Sequence, residues 1–208
     1  MLFYKILFFF NFINLTNCFN LCIVGASSGL GKELVYQAIE DKNLKVLGLT
    51  SKSELFIPYR GDSFEERGNN TIYKNKDLTL LNYWENIDLP YENIIFCTSA
   101  KPFEKDYSDV LTAKFLCHLP KECKTIHLVS AFGVGDSLNN ANLGIKIMDK
   151  LYLKDVYRAK NKQEELLNNY DGNVEKFIYR PKALSYGDTL LDSTKRQDFA
   201  KEILKNLN

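Results

Sequence analysis

Metal-ligating residues are scarce. The chain has two histidines, His118 and His127, and its five cysteines (Cys18, Cys22, Cys97, Cys117 and Cys123) form no C-x-x-C pair. This argues against a zinc site and against a disulfide framework. Cys22 and Cys97 stand inside apolar runs and read as small buried hydrophobes. There is no basic tract, and 27 lysines and arginines face 26 acidic residues for a formal net charge of +1. A nucleic-acid partner therefore has no electrostatic footprint here. No internal repeat and no low-complexity linker divides the 208 residues, which suit one domain with a full core. A content of 45% hydrophobic and 25% charged residues is ordinary for a soluble globular protein.

The first 18 residues, MLFYKILFFFNFINLTNC, stand apart. One positive charge, Lys5, precedes a phenylalanine-rich stretch, and Thr16 and Cys18 are small residues at −3 and −1 of a cleavage before Phe19. That is the grammar of a signal peptide. The apolar segment is broken by Asn11 and Asn14 and is shorter than the roughly 20 residues that span a bilayer. No stable membrane span is expected after cleavage. An uncleaved anchor is the first alternative and an unused upstream start codon the second. Residues 1–18 are set apart from a single folded domain over 19–208. The direct reading of the compartment is the secretory pathway or endomembrane lumen, with a secretory-derived plastid as the alternative.

What is most informative follows at once. Leu21 to Gln37 reads LCIVGASSGLGKELVYQ: an apolar run, a turn holding Gly25, Gly29 and Gly31, then a helical pattern. Strand, glycine turn and helix together form a grip for a dinucleotide pyrophosphate. Glycine supplies a positive φ and lets backbone N–H groups approach the phosphates, and the helix directs its positive end to the same place. Ser27 and Ser28 are read as extra hydroxyl donors, and Leu30 lies within the turn. The spacing is G-x-x-x-G-x-G rather than G-x-G-x-x-G, and a plain glycine turn before a helix is the competing reading.

Strand-like runs recur at Leu21–Val24, Leu44–Leu49, Thr71–Tyr73, Ile94–Thr98, Thr125–Ser130 and Lys176–Tyr179. Helical patterns lie at Gly31–Ile39, Leu80–Ile87, Ser108–Cys117, Tyr152–Asn169 and Gln197–Leu207. The alternation and the near-continuous apolar strands predict an α/β, doubly wound parallel sheet, a Rossmann-type fold in a single domain. Ligands in such sheets lie beyond the carboxyl ends of the strands, so the residue after each strand is a candidate. After the second strand come Ser51 and Lys52. No acidic residue is there to hold a ribose 2′-OH, and Lys52 with Ser51 suits a 2′-phosphate, which favours NADP over NAD; a solvated loop lysine is the bland alternative. Asp77 and Leu78 follow the third expected strand and are read as an adenine contact. Thr98, Ser99 and Ala100 follow the fourth, and Ser130 the fifth.

In this order, VGASSGLGKELV, VLGLTSKSEL, KDLT, IIFCTSA, IHLVSAFGVGDS, KDVYRAKNKQEELL, YRPKALSYGD and TKRQDFAKEIL resemble an atypical short-chain dehydrogenase/reductase. The resemblance is to the NAD(P)H-binding subfamily around NmrA-like proteins and biliverdin-IXβ/flavin reductase, and runs from about Asn20 to the C-terminus. It implies that Lys160 holds the nicotinamide ribose and that Ser130 lies nearest the nicotinamide, with Ala131 where the family more often has a second serine. Small members of this kind are usually monomers.

The orthodox Tyr-x-x-x-Lys pair is absent: Tyr157 is three residues before Lys160, on the same helical face, as a displaced donor or a plain half-buried aromatic. Glu164, one turn beyond Lys160, is placed to pair with it. Arg180-Pro181 is read as structural, with the arginine closing a helix end or reaching the cofactor.

The leading expectation is an NADPH-dependent reductase of a small, flat aromatic acceptor, with the proton drawn from solvent. Its pocket would come from residues 100–107, 132–150 and 185–192, with Phe103, Phe132 and Tyr186 as walls. A sensor or assembly factor that binds NAD(P) without turnover is the alternative. A sugar-nucleotide epimerase relative is disfavoured by the missing tyrosine pair.

Overall fold

The computed structural model describes residues 18–58, 70–82, 89–98, 104–135, 137, 153–185 and 193–207. Most of the expected leader, residues 1–17, lies outside them. Among the described residues, no helix is long and apolar enough to cross a membrane.

Six strands form one parallel sheet: β1 (Phe19–Val24), β2 (Val46–Leu49), β5 (Leu78–Leu81), β6 (Tyr91–Phe96), β7 (Thr125–Val129) and β8 (Glu175–Tyr179). Their spatial order is β5-β2-β1-β6-β7-β8. The chain winds outward one way from β1 to β5, then restarts on the other side of β1 with β6. That reversal opens a crevice beyond the carboxyl ends of β1 and β6.

Along each central strand, alternate side chains enter opposite layers. Leu21, Ile23, Ile95 and Val129 pack with α1 (Gly29–Glu40) and α4 (Arg196–Lys205). Cys22, Val24, Ile94, Phe96, Ile126 and Leu128 pack with α2 (Ser108–Cys117) and the α3 (Lys154–Asn169) residue Leu167. Both faces being covered accounts for the apolar runs LCIV in β1 and IIF in β6, which show no solvent-facing alternation.

Helix α1 buries Leu30, Leu34, Val35, Ala38 and Ile39 along one stripe. Helix α3 buries Lys160, Gln163 and Glu164 beside Val156, Ala159 and Leu167, as α1 buries Glu33 and Gln37 beside its apolar residues.

The third strand departs from the sequence expectation. Asn70–Ile72 is β4, which pairs antiparallel with β3 (Phe56–Pro58) in a separate ribbon. The main-sheet strand is Leu78–Leu81, whose Leu80 and Leu81 had a helical reading. A four-residue segment, LTLL, at a half-buried sheet edge carries little period to separate strand from helix. A small parallel pair, β9 (Ala183–Ser185) with β10 (Ser193–Lys195), leads into α4.

A buried polar chain crosses the sheet. Asn93 Nδ2 donates to the Asn20 carbonyl, and Thr125 Oγ1 donates to Asn93 Oδ1 at 2.6 Å. The Thr125 hydroxyl is thereby left to accept from His127 Nε2 at 2.8 Å, and Nδ1 receives the Tyr179 hydroxyl at 3.0 Å. Burial pushes the His127 pKa down to about 4, so the ring is neutral.

Candidate functional site

The turn after β1 is built by three glycines with different duties. Gly25 has φ +95°, and a Cβ there would lie 2.9 Å from Thr98 Cγ2 and 3.1 Å from the Cys97 carbonyl. Gly31 needs closeness instead: its Cβ would sit 2.1 Å from the Gly25 carbonyl oxygen, so the start of α1 rests directly on the turn. Gly29 is the first residue of α1 and is outside the positive-φ region. Ser28 is the N-cap. Its Oγ accepts from the Gly31 N–H at 2.9 Å and gives its proton to Cys97 Sγ at 3.7 Å, so it is not the spare phosphate donor of the sequence reading. Cys97 also donates to the Val24 carbonyl at 3.3 Å, and burial raises its pKa to about 11. The Leu30 side chain belongs to the core, which leaves only its backbone to face the crevice.

Lys160 anchors the far side. Its Nζ is buried and donates to the carbonyls of Thr98 at 2.6 Å and Val129 at 2.9 Å, joining the carboxyl ends of β6 and β7. Burial lowers its pKa to about 8, against the opposite pull of Asp106, Cys97 and Glu164. Beside it, Thr98 Oγ1 and Ser130 Oγ are buried with no hydrogen-bond partner. An unpaired buried hydroxyl costs roughly 1–3 kcal/mol, and two at adjacent strand ends fit a crevice whose polar partner is a ligand. A glycine cradle that excludes side chains and two unpaired hydroxyls over a buried ammonium suit a dinucleotide.

Glu164 does not pair with Lys160. Both of its oxygens receive Arg180, Nε at 3.0 Å and a terminal nitrogen at 2.6 Å, in a fork with the Glu164 side chain 6% exposed. Arg180 thus binds α3, not a helix end. Gly135 lies on this pair: at φ +56°, its Cβ would stand 2.7 Å from Glu164 Oε2. The Tyr157 hydroxyl donates to the Phe132 carbonyl at 3.1 Å, and the Gly135 N–H donates to Asn161 Oδ1 at 3.0 Å. Together they hold the turn after β7 against α3.

Beyond β2 lies a cavity of about 290 Å³ lined by Ser27, Lys32, Lys52, Ser53 and Glu54. Lys52 is therefore beside the glycine turn, whereas Ser51 is exposed and not among the lining residues. Lys32, a helix residue, is not legible in the sequence as a site residue. Its sequence position resembles any solvated first-turn lysine, and only the fold brings it to the cavity.

Among solved structures, ChuY, an anaerobilin reductase from Escherichia coli O157:H7, superposes with a TM-score of 0.60 at 15% identity, over 90% of each chain. The oxidoreductase YlbE from Lactococcus lactis gives 0.60 at 17% identity, over 89% of this chain and 83% of that one. The Bordetella bronchiseptica enzyme WbmH, solved with NAD⁺, gives 0.61 at 10% identity, over 90% and 71%. The chain has a Rossmann-type α/β fold. No protein-family model and no curated relative matches the sequence.

Most of the sequence-predicted residues lie at the carboxyl ends of the strands. Gly25, Ser27, Ser28, Gly29, Leu30, Gly31 and Thr98 gather at the β1/β6 crevice, with Ser130 and Lys160 alongside and Lys52 at the β2 end. Asp77 and Leu78 do not join them. Leu78 pairs with Val46, the first residue of β2, and the Asp77 carbonyl accepts the Val46 N–H. Both lie at the amino edge of the sheet, opposite the crevice, because the strand begins at Leu78 instead of ending before Asp77. Ser99, Ala100, Phe103 and Tyr186 lie outside the described residues.

Proposed function

We propose that the chain is an NADPH-dependent oxidoreductase acting on a small, flat acceptor. The observation that carries this is the crevice itself: a glycine cradle on one wall, and buried Lys160 beneath the unpaired hydroxyls of Thr98 and Ser130 on the other. When bound, the dinucleotide supplies a hydride from its nicotinamide ring. The turn N–H groups and the positive end of α1 hold the pyrophosphate. Lys52 meets the 2′-phosphate. Lys160 orients the nicotinamide ribose, and the Ser130 hydroxyl holds a polar atom of the nicotinamide or the acceptor. The Tyr157 hydroxyl is engaged with a main-chain carbonyl, so an acceptor that takes its proton from solvent, such as a flavin or tetrapyrrole, suits this site.

The test is NADPH and NADH oxidation by the purified protein with a flavin as acceptor. Flavin-dependent oxidation with NADPH preferred supports the reading. Binding without oxidation by flavin or tetrapyrrole acceptors overturns it in favour of a sensor that binds NAD(P) without turnover. The engaged Tyr157 hydroxyl and the alanine at position 131 favour that second reading.

A further inference from the structure

Thr50, the residue after β2, is 1% exposed although it carries a hydroxyl. Its Oγ1 donates to Ser27 Oγ at 2.6 Å and accepts the Lys52 N–H at 3.1 Å. The first bond leaves the Ser27 hydroxyl with its own proton to give, and Ser27 lines the cavity beyond β2. The second closes a side-chain turn over two residues, which sets the course of the backbone that carries Lys52 to the same cavity. Lys32 reaches it from the first turn of α1, where no acidic residue stands. Partial burial lowers the Lys32 pKa. Glu54 is the counter-charge, on the wall shared with a neighbouring cavity.

We infer that Thr50 is a positioning residue and Lys32 a second cationic specificity residue, which with Ser27 and Lys52 make this cavity a receptor for a phosphomonoester dianion on the adenosine 2′ position. The inference rests on the NADPH reading of the crevice and assigns its discrimination against NADH to residues beyond Lys52.

The experiment is calorimetric titration with adenosine 2′-monophosphate and adenosine 5′-monophosphate. The proteins are the wild type, Lys52→Ala, Lys32→Ala, Thr50→Val, Thr50→Ser and Glu54→Gln. The wild type should prefer the 2′ isomer. Lys32→Ala and Thr50→Val should each weaken that isomer on the order of tenfold, with 5′ binding unchanged, since each removes a contact to, or an aligned donor for, a charged group. Thr50→Ser should restore the preference, and Glu54→Gln should tighten the 2′ isomer. If Lys52→Ala loses the preference while Lys32→Ala and Thr50→Val keep it, this inference falls and the NADPH reading stands. Equal loss of both isomers in Thr50→Val also counts against a positioning role. If the wild type does not distinguish the isomers, the NADPH reading falls as well.

Discussion

Lys160→Met exposes what the fold gives up to place an ammonium inside the crevice. The residue is 3% exposed, and burial moves its pKa from 10.5 to about 8. Between those values the unfolded chain holds the proton and the native protein releases it, so the unfolded state binds more protons and stability rises with pH across the window. The shift corresponds to about 3 kcal/mol. That stability is absent below pH 8, where Lys160 is charged in both states, and present above 10.5. Methionine cannot titrate, so the variant lacks this contribution to the slope. Urea denaturation of both proteins at neutral pH and near pH 10 measures it, because the other alkaline groups cancel in the difference. The wild type should gain on the variant by about 3 kcal/mol over the window. NADPH affinity at neutral pH should fall at least roughly tenfold in the variant, as a charged hydrogen-bond donor is lost. Parallel pH profiles would refute the buried ammonium, and unchanged NADPH affinity would make Lys160 purely structural.

Other perturbations separate folding from binding. Gly31→Ala places a Cβ 2.1 Å from the Gly25 carbonyl oxygen and should lower stability by several kcal/mol, about 3 or more; a melting temperature equal to that of the wild type would contradict the contact. Arg180→Met strands the nearly buried Glu164 carboxylate and should cost about 3–5 kcal/mol in denaturant titrations, whereas a loss under 1 kcal/mol would mean the fork is solvated. The neutral His127, with its pKa held near 4 against 6.5 when exposed, makes the unfolded state the better proton acceptor. Stability should therefore fall by about 3 kcal/mol as pH drops from 6.5 to 4. His127→Gln should flatten that limb, and an equally steep acid limb in the variant would place the titrating group elsewhere.

The parts of the fold legible in the sequence are those in which both faces of a strand are buried. β1, β6 and β7 announce themselves through LCIV, IIF and TIHLV because no solvent face interrupts them. β5 hides because it is short, half-buried and at the sheet edge, while the β-branched Thr71-Ile72 pair drew attention to a peripheral ribbon. Asp77 and Leu78 are misplaced for the same reason: a third strand at Thr71–Tyr73 sets them after a strand, whereas β5 begins at Leu78. In the site, the glycine turn is legible because its chemistry is local. The partner of Glu164 was not: helical spacing suggested Lys160, but Lys160 is committed to two strand-end carbonyls and Arg180 arrives from 16 residues away. Lys32 and Gly135 likewise acquire their surroundings only from tertiary contacts. Side-chain patterns report which face is buried; they do not report which charge meets which.

Gly29→Val tests, without disturbing the core, whether the β1/β6 crevice holds a dinucleotide. Gly29 begins α1 outside the positive-φ region, so valine there should leave the fold intact while covering the phosphate-facing start of the helix. The measurement is nicotinamide fluorescence during NADPH titration of the wild type and Gly29→Val, with circular dichroism to confirm folding. The wild type should bind saturably, one to one, and a folded variant should not bind. Wild-type protein that does not bind NADPH, or a folded Gly29→Val that binds it equally well, would contradict a dinucleotide site in this crevice.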